Sequence, residues 1–109
     1  MEPNNYDVRL VGGATDYFGR LEIYFNGVWG SVCMDGFTDT AAQIVCRQLG
    51  YNGGTAVTFM DMQLGGFVWL DDVVCSGGER NLGECEHSPW GVHDCMPRIS
   101  DISVQCEGE

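Results

Sequence analysis

Lysine is absent from this chain of 109 residues, and its five basic side chains are all arginine. Against them stand 16 Asp and Glu, for a formal net charge of −11. So little positive charge excludes binding to nucleic acid or anionic membranes, and favours metal cations or basic patches on a partner. No run approaches the ~18 apolar residues of a membrane helix, so direct insertion is not expected. The opening residues Met1-Glu2-Pro3-Asn4-Asn5 are polar and acidic and carry no secretion signal. An Asn-x-Ser/Thr triplet is also missing, so no N-glycan is expected. Gly-x-Ser-x-Gly, His-Glu-x-x-His and phosphate-loop patterns are lacking too, and Gly12-Gly13 and Gly53-Gly54 read as turn pairs. The chain is therefore not expected to be an enzyme.

What it does have is cysteine, six in a short chain. That density points to a disulfide framework and an oxidising compartment, outside the cell or on its surface. Cys33, Cys46, Cys75, Cys85, Cys95 and Cys106 never fall in a C-x2-4-C knuckle, which argues against zinc. Paired cysteines also leave no thiol for a Cys–His nucleophile. Without a signal, the chain reads as a domain excised from a larger protein with a start residue added. Residues 1–6 are then added or linker residues, 7–107 the domain, and 108–109 a tail.

Hydrophobic periodicity sets the elements. Asp7 to Gly13 reads as a short strand and turn, and Ala14 to Gly19 as a connection. Arg20 to Phe25 alternates strictly, with Leu21, Ile23 and Phe25 on one face and Glu22 and Tyr24 on the other. Asn26-Gly27 follows, a strong hairpin signal because both residues tolerate the positive φ of a type I′ turn. The register pairs Phe25 with Val28, Tyr24 with Trp29, Ile23 with Gly30 and Leu21 with Val32. Thr38 or Asp39 caps a helix whose buried stripe is Ala42, Val45, Cys46 and Leu49, with Arg47 and Gln48 facing out and Gly50 ending it. Thr55 to Phe59 reads as a strand, and Met60 to Gly66 as a loop. Phe67 to Cys75 is interrupted by a bend or bulge at Asp71-Asp72, since adjacent strand residues point to opposite faces. Asn81 to Cys85 suits a short helical turn. Ile102 to Cys106 suits a last strand, expected beside the first. The fold class is α+β: a single small disulfide-rich domain, a curved antiparallel sheet cradling one main helix.

The runs GRLEIYFNGVWGSVC, VCRQLGY, WLDDVVC and LGECEHSPWGVHDC together resemble the scavenger receptor cysteine-rich (SRCR) domain, over about Val8 to Cys106. Six cysteines resemble its group A. Sequence alone leaves the connectivity open. The resemblance implies three bridges: Cys33–Cys95, Cys46–Cys106 and Cys75–Cys85. It also implies a sheet curved around the helix.

If Cys33 and Cys95 are bonded, Asp35 and Asp94 share a neighbourhood, because bonded cysteines hold their Cα atoms about 5.5 Å apart. Asp72, three residues before Cys75, completes a cluster of three carboxylates. A hard cation relieves their mutual repulsion, and Ca²⁺ takes such oxygen ligands together with carbonyls and water. SRCR domains often carry divalent-cation sites built from an acidic pair after a cysteine, the aspartates of an LDDV run, an Asn or Asp before a later cysteine, and a Glu near the end. Asp35, Asp72 and Asp94 match that pattern, with Asp71 and Asp101 as secondary candidates. Two positions depart from it. The acidic pair reads Met34-Asp35. The usual EDAGV segment reads Ser100-Asp101-Ile102-Ser103-Val104, with one extra residue between Cys95 and Cys106. One Ca²⁺ or Mg²⁺ site is therefore expected rather than two. The competing reading is that these aspartates only cap turns or stay solvated, and Asp71 suits a bond to Arg98 or to backbone amides.

Met60, Met62, Leu64 and Phe67 form a candidate partner patch, with partly buried loop packing as the favoured alternative. Trp90 reads as a loop anchor, and His87 and His93 as surface residues. The resulting functional expectation is an extracellular recognition module, of a secreted protein or a receptor ectodomain. It would use a bound cation to recognise anionic groups on a protein, glycan or microbial surface. The alternatives are a non-catalytic accessory domain of a secreted protease or amine oxidase, and a spacer without a ligand. Nothing in the sequence sets the oligomeric state.

Overall fold

The computed structural model describes residues 3–34, 36–57, 67–92 and 102–107, with only the backbone of Ala14. Its elements in chain order are β1 (Val8–Thr15), β2 (Phe18–Phe25), β3 (Val28–Val32), α1 (Asp39–Gln48), β4 (Gly53–Val57), β5 (Val68–Leu70), a 3₁₀ turn (Leu82–Glu84) and β6 (Ser103–Glu107). The strands form one sheet in the order β4-β6-β2-β3-β5, with β1 also paired to β2.

The β2–β3 hairpin closes on Asn26 and Gly27, both at positive φ (51° and 86°). Its register runs from Phe25↔Val28 to Glu22↔Ser31. The expected Leu21–Val32 pair does not form. There the two strands part, and the backbone of Ile102 enters the fork. Leu21 N–H donates to Ile102 O (3.1 Å), and Ile102 N–H donates to Val32 O (2.9 Å). β6 then continues along the first residues of β2, pairing Phe18↔Gln105 to Arg20↔Ser103. The last strand thus lies between β2 and β4 rather than beside β1. A fork that leaves backbone groups open on both strands needs such an insertion, because buried amides and carbonyls must find partners.

Two further boundaries differ from expectation. β1 and β2 run on to a tight turn at Asp16-Tyr17, so residues 14–19 belong mostly to strands. The sheet is antiparallel except at β3 and β5, which pair in parallel. A parallel neighbour requires a long crossover, and α1 and β4 lie within it.

Helix α1 starts at Thr38, whose side chain makes no capping bond. Asp39 is not the cap either, since its carboxylate accepts Ala56 N–H (2.9 Å) and fastens the helix start to β4. The buried face is wider than the predicted stripe and includes Ala41 and Ile44 as well as Ala42, Val45 and Cys46. Leu49 is only partly buried. Gly50 turns the chain at φ 95°. Gln48 does not face solvent. Its Nε2 donates to Tyr6 O (3.0 Å), while its Oε1 accepts Leu82 N–H (2.8 Å). One side chain thereby ties the helix to the N-terminal segment and to the 3₁₀ turn.

The core joins Leu21, Ile23 and Val32 of the sheet to Ile44 and Val45 of the helix, with Leu70, Leu82, Ile102 and Val104 closing it. Cys46 is bonded to Cys106 and Cys75 to Cys85, two of the pairings the resemblance implies. Cys33 is also disulfide-bonded. Cys95 lies outside the described residues.

Candidate functional site

The Asp71-Asp72 bend follows directly from β5. Asp72 has a left-handed backbone (φ 56°), a conformation that Asp tolerates better than most non-glycine residues. This reversal separates the two aspartates. Asp71 is 3% exposed, and its Oδ1 accepts the Asp72 N–H (2.8 Å). Its carbonyl accepts Ser88 N–H (3.0 Å). Asp72 is exposed. Asp71 thus stabilises the turn that presents Asp72. Gly36 lies against this bend: a Cβ built there would sit 3.7 Å from Asp72 Cα and 3.8 Å from Val73 O. The turn after Cys33 and the turn after β5 are therefore spatial neighbours.

Of the other predicted ligands, Asp35, Asp94 and Asp101 lie outside the described residues. The grouping of metal-type side chains among the described residues is a different one, Cys75, Glu79 and Cys85, with ligand atoms within 4.8 Å of one another. Its cysteines are bonded to each other, so no thiolate is available for a metal. Glu79 instead organises the loop that this bridge closes. It accepts Ser76 N–H (2.9 Å), Ser76 O–H (3.0 Å) and Gly77 N–H (2.9 Å). These bonds, the Ser76 amide foremost, hold its pKa near about 2, against 4.5 ordinarily.

In the predicted partner patch, Met60, Met62 and Leu64 lie outside the described residues. Phe67 is half exposed and meets Trp69 edge to face at 4.7 Å. Trp69 Nε1–H donates to Val28 O (2.8 Å). Its ring also packs over Gly30, where a Cβ would stand 2.9 Å from Trp69 Cγ. Trp90 stacks on Phe25 and contacts Trp69 and Tyr6, and so anchors its loop. His87 is half-buried rather than fully on the surface, because its ring leans on Trp90 at 5.2 Å. His93 and Arg98 lie outside the described residues. The sequence suggested Trp90 as an anchor, but an aromatic cluster reaching from Tyr6 to Trp90 was not legible, since no periodicity links its members.

The profile of the family "Scavenger receptor cysteine-rich domain" matches residues 11–107. This chain belongs to that family, whose members are extracellular interaction modules and in general non-catalytic. It is 44% identical over 107 residues to "CD5 antigen-like" from Homo sapiens, covering 94% of this chain and 30% of the relative. It is 42% identical over 109 residues to a "Scavenger receptor cysteine-rich domain superfamily protein" from Patiria pectinifera, covering 98% of this chain and 10% of that relative. Among solved structures, the dimeric form of the SRCR domain of mouse MARCO is similar, with a TM-score of 0.74 and 38% identity. That match covers 92% of this chain and 94% of the MARCO chain. The chain thus spans less than a third of the curated relatives. No described helix is long and apolar enough to cross a membrane.

Proposed function

We propose that this chain is an extracellular recognition module that binds one divalent cation, Ca²⁺ or Mg²⁺, through Asp72 together with Asp35 and Asp94. The carrying observation is the bend that exposes the Asp72 carboxylate while the backbone at Gly36, next to Asp35, lies against it. Carboxylate oxygens at a sharp turn are the hard ligands that Ca²⁺ prefers. Asp71 is buried and bonded to the Asp72 amide, so its part is to hold the turn. On a chain of net charge −11, a bound cation supplies the local positive charge that recognition of anionic groups on a protein, glycan or microbial surface requires.

Calorimetric titration with Ca²⁺ tests the reading, with Asp72→Asn as the variant. Asn also tolerates the left-handed backbone, so the fold is expected to survive while a charged ligand is lost. The expected result is saturable heat for the wild type, sharply reduced in the variant, at equal thermal stability in EDTA. Absent heat, or equal heat from both proteins, would overturn it. Retention on an immobilised sulfated glycan, present with Ca²⁺ and lost in EDTA, is the matching functional readout.

A further inference from the structure

A concavity lies where the β1–β2 turn, the end of α1 and strand β6 meet. It measures about 670 Å³, and Tyr17, Leu49, Tyr51, Gln105 and Glu107 are among its lining residues. The two tyrosine rings stand 6.4 Å apart at 66°. Tyr17 is 44% exposed. Both are held by the same disulfide. Tyr51 N–H donates to Cys46 O (2.9 Å), Cys106 N–H donates to Tyr17 O (2.7 Å), and Cys46 is bonded to Cys106. The backbone of each tyrosine is thus fastened to one half of a covalent bridge, which holds the two sides of the cleft together.

The electrostatics have one sign. No described lining residue is basic, and no described basic side chain is paired with the Glu107 carboxylate. Asn52 N–H donates to Glu107 O (3.2 Å), which fixes the backbone of that residue and leaves its side chain exposed. With the net charge of −11 behind it, the cleft repels anions and concentrates cations. Aromatic faces attract ammonium and guanidinium groups through the ring quadrupole.

We propose that this cleft receives a basic side chain of a partner protein directly, without a metal ion. Tyr17 and Tyr51 stack against the guanidinium or ammonium, Glu107 neutralises it, and the Gln105 amide oxygen accepts one of its N–H groups. Arginine fits best, because its flat guanidinium stacks on aromatic rings and donates in its own plane at the same time. The volume exceeds one side chain and leaves room for the backbone that carries it. A neutral sugar would also meet rings and an amide, but would gain nothing from the carboxylate or the net charge.

The test is an NMR titration of the labelled chain in EDTA, with N-acetyl-Gly-Arg-Gly-amide and the same peptide carrying citrulline in place of arginine. EDTA keeps the result independent of the proposed Ca²⁺ site. The expected outcome is amide shifts confined to Tyr17, Gly50, Tyr51 and 105–107, with binding of the citrulline peptide weaker by about fivefold. Glu107→Gln and Tyr17→Ala each weaken the arginine peptide by about twofold to fivefold. Glu107 is exposed, so the Gln variant carries the test should Tyr17→Ala fold poorly. Absent shifts at these residues, equal binding of both peptides, or binding unchanged by Glu107→Gln would overturn the proposal.

Discussion

Phe25 and Trp90 lie face to face, their ring centroids 3.9 Å apart and their planes inclined by 7°. Trp69 meets both nearly at right angles, at 5.3 Å from Phe25 and 5.6 Å from Trp90. The tip of the β2–β3 hairpin, β5 and the loop carrying Trp90 are joined through these three rings. Trp90→Ala is expected to cost about 2–3 kcal/mol, less than a fully buried Trp because the residue is only partly buried. Trp90→Phe, which keeps the stack, should cost less than half of that. Chemical denaturation gives both values, and near-ultraviolet circular dichroism should lose intensity in the Ala variant.

Gln48 satisfies Leu82 N–H and Tyr6 O with one side chain. Gln48→Ala leaves both backbone groups without that partner, at an expected cost of about 1–2 kcal/mol. Hydrogen exchange at the Leu82 amide should accelerate by more than at amides in β2. Gln48→Glu keeps an acceptor for Leu82 and should preserve that amide's protection while losing the link to Tyr6.

The folded pKa of Glu79 is depressed, so its contribution to stability is complete above about 4.5 and is lost as pH falls toward about 2. In Glu79→Gln this part of the acid sensitivity should vanish. Thermal midpoints across the same window are expected to fall more steeply for the wild type than for the variant. Exchange at the Ser76 and Gly77 amides should quicken with the same pH dependence in the wild type.

The Cys46–Cys106 bridge spans a sequence separation of 60, and Cys75–Cys85 one of 10. Restriction of the unfolded chain predicts about 4 kcal/mol from the longer loop and about 3 kcal/mol from the shorter. Paired Cys→Ala substitutions, compared by denaturant unfolding, should show the larger loss for Cys46 and Cys106. Removing that pair should also loosen the anchorage of Tyr17 and Tyr51, broadening their ring resonances.

What could be read from the sequence was what local chemistry decides. Asn26-Gly27 fixes its hairpin because both residues accept positive φ, and the helix announces itself through Ala42, Val45 and Cys46. The resemblance supplied the Cys46–Cys106 and Cys75–Cys85 pairings that the cysteine count left open. Hidden were the features made by distant partners. Nothing near Leu21 or Val32 signals that Ile102 will separate them. Nothing near Gln48 shows that a polar helix residue will turn inward to serve Tyr6 and Leu82. At the candidate cation site, the bend at Asp71-Asp72 was legible, since two adjacent carboxylates cannot share one face of a strand. Which of them turns inward was not legible. That depends on the left-handed backbone at Asp72, which buries one carboxylate and exposes the other.

The insertion of Ile102 and β6 into the middle of the sheet also dictates an order of events. β6 follows every other described element in the chain, yet β4 joins β2 only through it. During synthesis the hairpin and the helix can form as they emerge, but the sheet has no centre until the final strand is free of the ribosome. Closure therefore waits for that strand, and is dominated by contacts between distant segments and correspondingly slow. In that interval the open β2–β3 fork and the edge of β4 stand exposed with Cys46 unpaired, and this is the stage at which folding enzymes of an oxidising compartment have most to guard.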